Sequence, residues 1–290
     1  MSWRKLYPFA PHYFTTSEGH RLHYIDENPG SKSCILMLHG NPTWSFMYRN
    51  LVRRAAEAGF RAIALDNLGS GLSDKPQDWS YRLENHIGNM EQLLGHLNLP
   101  RISIVMHDWG GPMGMGYATR HPEKISSLVL MNTATFLPRD VPKRLYLCHV
   151  PLLGPLLVRS LDLLLDTALR RGVASQMPQD VEDGFRAPYK NWHDRIAILK
   201  YPLDIPLTTR HPSYNAFKKI EDSLKALADK PVALLWGEKD FCLHTGYLRL
   251  WESIYPKAQV HSFPDASHFL LEDKTDAAID KIIEFLCEHS

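Results

Sequence analysis

The sequence predicts an α/β fold: a mostly parallel central sheet flanked by helices, with a helical cap inserted between two strands. Three observations carry this reading. Short, wholly apolar runs such as Cys34-Ile35-Leu36-Met37-Leu38 are typical of strands buried on both faces. Such runs alternate with helical patterns through the first half of the chain, as a doubly wound sheet requires. The alternation lapses over residues 136–214, which carry prolines at 138, 142, 151, 155, 178, 188, 202, 206 and 212, and then resumes.

Each element follows from its local pattern. Residues 12–17 and 20–26 alternate about Glu18-Gly19, as a hairpin would. The strand 34–38 leads into a helix expected over residues 44–58 and stopped by Gly59. A strand over 61–65 runs into the turn-rich segment Asp66-Asn67-Leu68-Gly69-Ser70-Gly71. A helix over 82–97 precedes a strand over 102–106, a helix over 111–120 and a strand over 127–131. Beyond the interruption come a strand over 232–236, a helix over 245–254, a strand over 259–263 and a helix over 275–287. The expected division is a core of residues 1–135 and 215–290 with a helical cap of residues 136–214.

Composition narrows the function classes. The chain has 290 residues, with 33 Lys and Arg against 32 Asp and Glu, a net charge of +1. A hydrophobic fraction of 44% at that charge argues against disorder. The balance also excludes a broad basic footprint for nucleic acid. Cys34, Cys148, Cys242 and Cys287 are too few for a disulfide scaffold and match no metal knuckle. The N-terminal residues show no apolar run and no small-residue cleavage site, so a cytoplasmic location is expected. The greasiest stretch, residues 145–169, holds His149, Arg159, Asp162, Asp166 and two prolines, so no transmembrane segment is expected. It reads either as an amphipathic helix pair against a core or as a cap over an apolar cavity.

The chemistry-bearing residues stand at strand ends. In Met106-His107-Asp108-Trp109-Gly110-Gly111 an acid sits where an apolar strand gives way to a glycine-rich helix. Loops beyond the carboxyl ends of parallel strands are where such sheets place ligands. A sharp strand–turn–helix holds its turn residue outward, and an aspartate there can attack an electrophilic carbon. The competing reading is a helix-capping aspartate. His107 is expected to be structural and to point away, and Tyr81 to lie at the surface or behind the site.

Leu38-His39-Gly40-Asn41-Pro42-Thr43-Trp44-Ser45 follows another central strand. Asn41 can present a side-chain amide and a backbone N–H to the site, or can be a turn residue before proline. His268 lies in Asp265-Ala266-Ser267-His268-Phe269, after the last strand. Asp240, in Trp236-Gly237-Glu238-Lys239-Asp240, is preferred over Glu238 as the acid that orients it. The order nucleophile, acid, histidine is the one α/β-hydrolases show. A second acid position, after the strand 127–131, holds Asn132, which cannot supply a charge. The Trp109 indole N–H and the Asn41 amide can converge on one dry pocket. Two uncharged donors there suit a large halide, a carboxylate or a lactone oxygen. Most of the remaining histidines are expected on the surface or satisfied in turns.

These motifs resemble the haloalkane dehalogenase family of α/β-hydrolases. The matching pieces are HGNPTWS (39–45), DNLGSGLSDKP (66–76), HDWGGPMG (107–114), WGEKD (236–240) and FPDASHF (263–269). The resemblance implies Asp108 as nucleophile, His268 as base and Asp240 as its acid. It implies Asn41 and Trp109 as the halide-binding pair, with their backbone N–H groups as the oxyanion hole. Trp192 is the only cap tryptophan, and no second halide-binding role is carried over to it. The cap segments LLGPLLVRSLDLLL, APYKNWHDRIAILKYPLDIPL and TRHPSYNAFKKIE resemble those of the olefin-forming β-lactone decarboxylases.

The first expectation is therefore hydrolysis of carbon–halogen bonds through an alkyl-aspartate ester, giving alcohol, halide and a proton. The alternative is decarboxylation of a cis-β-lactone to an alkene. An epoxide hydrolase would need acidic tyrosines in the cap, where Tyr146, Tyr189 and Tyr214 are the candidates. A non-catalytic binding protein would have lost part of the triad, and none is lost. The resemblance implies a small apolar substrate, halide as a product, and no metal or organic cofactor. It further implies a homo-oligomer or association with olefin-pathway enzymes.

Overall fold

The computed structural model describes residues 3–289. Eight strands form one sheet in the order β1-β2-β4-β3-β5-β6-β7-β8. They are β1 (His12–Thr15), β2 (Arg21–Glu27), β3 (Cys34–Leu38), β4 (Arg61–Leu65), β5 (Ile102–His107), β6 (Ile125–Met131), β7 (Val232–Gly237) and β8 (Gln259–Phe263). The β1–β2 and β2–β4 pairings are antiparallel, and β3 to β8 run parallel. The sequence-derived strands are recovered, with β6 beginning two residues earlier than expected.

The apolar strands alternate between two cores. Leu36, Leu38, Ile63, Leu65, Ile104 and Met106 enter one apolar layer. Their neighbours Ile35, Met37, Ala62, Ala64 and Val105 enter the layer on the opposite face. Helices cover both faces, which is why these strands read as continuous hydrophobic runs. The helix α1 (Arg49–Glu57) packs on one side, while α2 (Leu83–Leu97) and α3 (Gly110–Arg120) pack on the other. The expected helix from Trp44 is resolved into a 3-10 turn, Ser45–Tyr48, followed by α1. Asp66 Oδ1 takes the Ser45 N–H at 2.7 Å and Tyr48 donates to the Leu38 carbonyl at 2.8 Å, so these residues are held by the sheet rather than by a helix ladder.

The inserted cap region lies between β6 and β7. It contains helices Leu163–Arg171, Gln179–Arg186 and Ile196–Leu203, preceded by a 3-10 helix, Lys143–His149, and a π-helical turn, Leu156–Ser160, and it is followed by the helix Tyr214–Ser223, whose Phe217 and Ile220 join the core layer of α3. The stretch 145–169 is divided in use. Leu165 and Leu169 are buried, whereas Leu152, Leu156 and Leu161 are exposed. Tyr189 ties the cap to the core by donating to the Thr43 carbonyl and accepting from the Gly71 N–H, both at 3.2 Å.

The chain crosses from β4 to β5 past β3, so the strand order reverses between β3 and β5. A crevice opens at such a reversal, outside the carboxyl ends of the strands. The loops carrying Asn41 and Asp108 leave from there, side by side.

Candidate active site

Asp108 stands at the turn between β5 and α3 with φ +49. A non-glycine residue in this region costs steric energy and is held only where its surroundings impose it. Here the surroundings do. Thr133 Oγ1 donates to the Asp108 carbonyl at 2.5 Å, and the Gly111 N–H closes the turn onto the same carbonyl at 3.0 Å. A methyl at Gly110 would strike the Leu38 backbone carbonyl, and one at Gly111 would strike Thr133. The paired glycines after Asp108-Trp109 therefore let α3 start tight against β3. The capping alternative fails, because the Asp108 carboxylate accepts from the loop after β3 instead.

That loop is positioned by His39. Its Nδ1 donates to the Gly40 carbonyl at 2.7 Å, and its Nε2 accepts from the Asn67 N–H at 3.1 Å. Burial lowers the His39 pKa, so a neutral ring with one donor and one acceptor fits both bonds. Gly40 has no room for a side chain, since a Cβ there would overlap the Asp108 carboxyl group. The Asn41 N–H then reaches Asp108 Oδ1 at 2.7 Å. The Asn41 amide spends one hydrogen on the Ile198 carbonyl of the cap at 3.2 Å. An NH₂ group has a second. Trp109 leans on Tyr201 and Phe217, with ring centroids 5.2 and 5.9 Å away, and lines the cavity.

His268 faces Asp108 across the crevice, with Nε2 3.8 Å from Oδ2. Its Nδ1 donates to Asp240 Oδ2 at 2.6 Å. Asp240 is buried and accepts three further bonds: from the Cys242 and Leu243 N–H groups at 2.7 and 3.0 Å, and from Asn132 Nδ2 at 2.9 Å. Glu238, by contrast, takes the hydroxyl of Ser262 at the surface. The geometry thus selects Asp240 over Glu238.

The electrostatics follow from burial and neighbours. Burial pushes the Asp108 carboxyl above its ordinary pKa, and the His268 charge with the Asn41 and Trp109 N–H groups only partly offsets this. For Asp240 burial acts the same way, but His268 and the two backbone donors outweigh it and the pKa falls. For His268 burial opposes the charge, yet Asp240 and then Asp108 reverse the balance and raise its pKa.

Several residues behave differently from their sequence-based expectation. His107 does not point away. It is buried with its ring 4.5 Å from that of His268, and its Nε2 donates to the His268 carbonyl at 2.9 Å. Burial brings its pKa to about 3, so it stays neutral and supports the histidine loop from beneath. Tyr81, placed at the surface or behind the site, is buried against Gly69 and donates to the Pro76 carbonyl at 2.8 Å. His23 and His86, expected at the surface or in turns, are both buried. His23 bonds Asp66 at 2.8 Å, and His86 lies stacked on Tyr201. Trp192, to which no halide-binding role is carried over, is exposed, packs against Arg159 and does not line the cavity.

Asn41, Asp108, Trp109 and His268 share one cavity of about 360 Å³. Its cap wall is mostly apolar and includes Leu145, Leu147, Leu157, Val158, Leu163 and Leu164. Among the described residues, Tyr146, Tyr189 and Tyr214 do not line it. Two participants were not anticipated from sequence: Asn132, which holds Asp240, and Arg144, which lines the cavity from the cap.

An outward-held aspartate, a histidine bridging it to a second buried aspartate, and a cap closing an apolar chamber define a catalytic α/β-hydrolase. The family model described as alpha/beta hydrolase fold matches residues 34–275. The cis-3-alkyl-4-alkyloxetan-2-one decarboxylase of Shewanella oneidensis is 41% identical over 290 residues, covering 98% of this chain and 90% of that protein. Haloalkane dehalogenase 2 of Mycobacterium tuberculosis is 32% identical over 284 residues, covering 97% and 96%. The haloalkane dehalogenase DbeA from Bradyrhizobium elkani shares the fold with a TM-score of 0.87 at 21% identity, over 97% of this chain and 98% of that one. The chain belongs to the α/β-hydrolase family and, within it, to the haloalkane-dehalogenase-like members with an aspartate and histidine at the catalytic centre.

Proposed function

We propose that the chain decarboxylates cis-3,4-dialkyl β-lactones to alkenes, with Asp108 as nucleophile. The 41% identity with the Shewanella decarboxylase, which runs through the cap as well as the core, carries this choice of substrate. The apolar chamber facing Asp108 supports an alkyl-bearing substrate.

The step is a displacement. An Asp108 oxygen attacks the ring carbon that bears the ring oxygen, and the carbon–oxygen bond breaks. The ring oxygen leaves as part of a carboxylate, and an alkyl ester forms on Asp108. The bond from the neighbouring carbon to that carboxylate then breaks. Its electron pair becomes the alkene, carbon dioxide departs, and the ester bond breaks to return the Asp108 carboxylate. Lactone becomes alkene and carbon dioxide with no net water or proton. The Asn41 and Trp109 donors stabilise the oxygen on which charge develops. The partial desolvation reported by the raised Asp108 pKa makes its carboxylate a stronger nucleophile.

A second reading is hydrolysis of a haloalkane, supported by the dehalogenase relatives and by the Asn41–Trp109 pair. Its first step is the same attack, with halide leaving toward Asn41 and Trp109. His268, oriented by Asp240, then deprotonates a water that attacks the ester carbonyl. The Asn41 N–H already sits 2.7 Å from Oδ1, the atom that would become the oxyanion.

The proposal extends to setting. Four free thiols support a reducing, cytoplasmic compartment. The exposed Leu152, Leu156 and Leu161 support self-association or association with enzymes that make or use the alkene. No described helix is long and apolar enough to cross a membrane.

The deciding experiment supplies a cis-3,4-dialkyl-oxetan-2-one and follows alkene by gas chromatography. A parallel arm supplies 1-bromobutane and 1,2-dibromoethane and follows bromide by ion chromatography. Alkene at many turnovers supports the first reading. Bromide release with no alkene overturns it in favour of the second.

A further inference from the structure

The cavity wall carries one cation whose charge the site does not use. Arg144 belongs to the 3-10 helix Lys143–His149 of the cap and lines the same chamber as Asp108. Its guanidinium lies 4.0 Å from the centre of the Phe241 ring and donates to Cys242 Sγ at 3.5 Å. Neither neighbour is an anion. Burial and then Asp240 push the Cys242 thiol up to about 12, so it stays neutral. Among the described residues no carboxylate lies within ion-pair distance of Arg144.

Two other cap arginines are already ion-paired, and a third, Arg171, shares the Phe241 ring at 5.4 Å from its centroid. Arg186 meets Asp162, Asp166 and Glu182, and Arg195 meets Asp162. Asp140, the other acid on the cavity wall besides Asp108, lies 3.4 Å from His244. A guanidinium has five N–H donors in a planar fork, and its strongest bonds are to carboxylates. Contact with the Phe241 ring and the bond to Cys242 Sγ leave most of its donors unspent. Arg144 and Cys242, which Arg144 touches, line the same chamber as Asp108.

A neutral haloalkane has no group for such a residue. A β-lactone does, once opened. We propose that Arg144 is a specificity-determining residue that binds the carboxylate freed when the lactone ring opens. This rests on the lactone reading. The guanidinium would hold the carboxylate while the alkyl chains lie against the cap leucines. It must then let the charge go, because carbon dioxide leaves only when the carboxylate electrons collapse. The contact therefore favours ring opening and product selection rather than the final cleavage.

The test separates this idea from the reading beneath it. Decanoate and decanol, which share a chain and differ in charge, are titrated into the wild-type protein, Arg144→Gln and Arg144→Lys by calorimetry. Decanoate is expected to bind wild type and to lose about tenfold or more in Arg144→Gln, with part of the loss restored in Arg144→Lys. Decanol is expected to bind all three alike, which also reports an intact cavity. Equal losses for both ligands, or no loss for decanoate, overturn the proposal and leave Arg144 as a surface cation stacked on Phe241. On the lactone itself, Arg144→Gln is expected to lower kcat/KM by a similar factor. If wild type makes no alkene, the lactone reading fails while the decanoate titration still decides whether Arg144 binds carboxylates.

Discussion

Asn132 donates its side-chain amide to Asp240 Oδ2 at 2.9 Å and to the Gly237 carbonyl at 3.0 Å, while its own oxygen accepts from the Gly237 N–H at 2.9 Å. The residue that cannot be the acid of the triad is the one that fixes it. It does so from φ +34, at the end of β6, where the strand stops and the amide turns toward β7. Asn132→Ala strips a buried carboxylate of a donor and leaves the Gly237 N–H without its acceptor, while the Gly237 carbonyl keeps the Asp240 N–H at 3.3 Å. Such losses cost about 1–3 kcal/mol each. The expected outcome is a Tm several degrees lower and a slower histidine-dependent step, read by calorimetry and by single-turnover kinetics.

Asp108 is a site at which function opposes stability. Its pKa is raised, mainly by burial, so the folded state holds the proton more tightly than the unfolded chain does. The sign for a raised acid is that stability is greatest at low pH and falls as pH rises through the folded value. Removing the charge should therefore help at neutral pH. Asp108→Asn is expected to raise Tm at pH 7, with the gain vanishing below about pH 3.8, while turnover of any substrate is lost. A lower Tm at pH 7, measured by differential scanning calorimetry, would contradict this balance.

His268 gives the opposite pH signature. Burial disfavours its charge, but Asp240 and Asp108 win, so its pKa lies above the ordinary histidine value. The stability it contributes is fully present below about pH 6.5 and is lost as pH rises through the folded value. Base catalysis needs the neutral ring, so ester hydrolysis should rise with pH across that same folded value. Asp240→Asn removes the strongest influence holding the pKa up. The acidic limb of the rate profile should move to lower pH, and the plateau should fall steeply because the ring loses its orienting acceptor. Stopped-flow kinetics on a haloalkane or an activated ester would show both changes.

The pair Asn41 and Trp109 invites a test that keeps most of the packing. Trp109 packs near Tyr201 and Phe217, so Trp109→Phe keeps an aromatic ring there while removing the indole N–H together with the five-membered ring that carries it. Loss of one donor at a developing charge costs about a hundredfold to a thousandfold in rate. Asn41→Ala should cost a similar factor and should also loosen the cap, because the amide holds the Ile198 carbonyl. Chloride quenching of tryptophan fluorescence is expected in wild type and is expected to weaken in Asn41→Ala.

Much of this architecture could be read from local pattern, for reasons particular residues make plain. Cys34–Leu38 is buried on both faces and has no polar break, and in Ile102–His107, equally buried, only Ser103 interrupts the apolar run before His107. The sequence places the start of β6 at Ser127 because Ser126 separates Ile125 from the apolar run that follows. The Ser127 hydroxyl is satisfied by Ser103 on β5 at 2.8 Å, a bond invisible without the pairing. Asp108, His268 and Asp240 were legible because each follows a strand. Asn132 and Arg144 were not, because their partners lie 108 and 98 residues away in sequence. The buried His23 and His86 escaped for the same reason, since each is accommodated by contacts with distant residues.

The last prediction concerns the turn itself. Gly110 and Gly111 face the Leu38 carbonyl and Thr133, and in both cases a methyl group would overlap the neighbour. The two obstacles differ in kind. The Leu38 carbonyl is backbone of a central strand, sits in the sheet and accepts from Tyr48, so it has nowhere to go. Thr133 is a side chain, although its hydroxyl holds the Asp108 carbonyl in the left-handed turn. Gly110→Ala should therefore push α3 away from β3 and destabilise the fold by about 1–3 kcal/mol, a cost typical of overpacking. Gly111→Ala should instead rotate Thr133 away, release the Asp108 carbonyl and leave the global Tm less affected than turnover. If Gly110→Ala proved the milder of the two in a thermal melt, the close approach of α3 to β3 would not be what holds Asp108 toward the cavity.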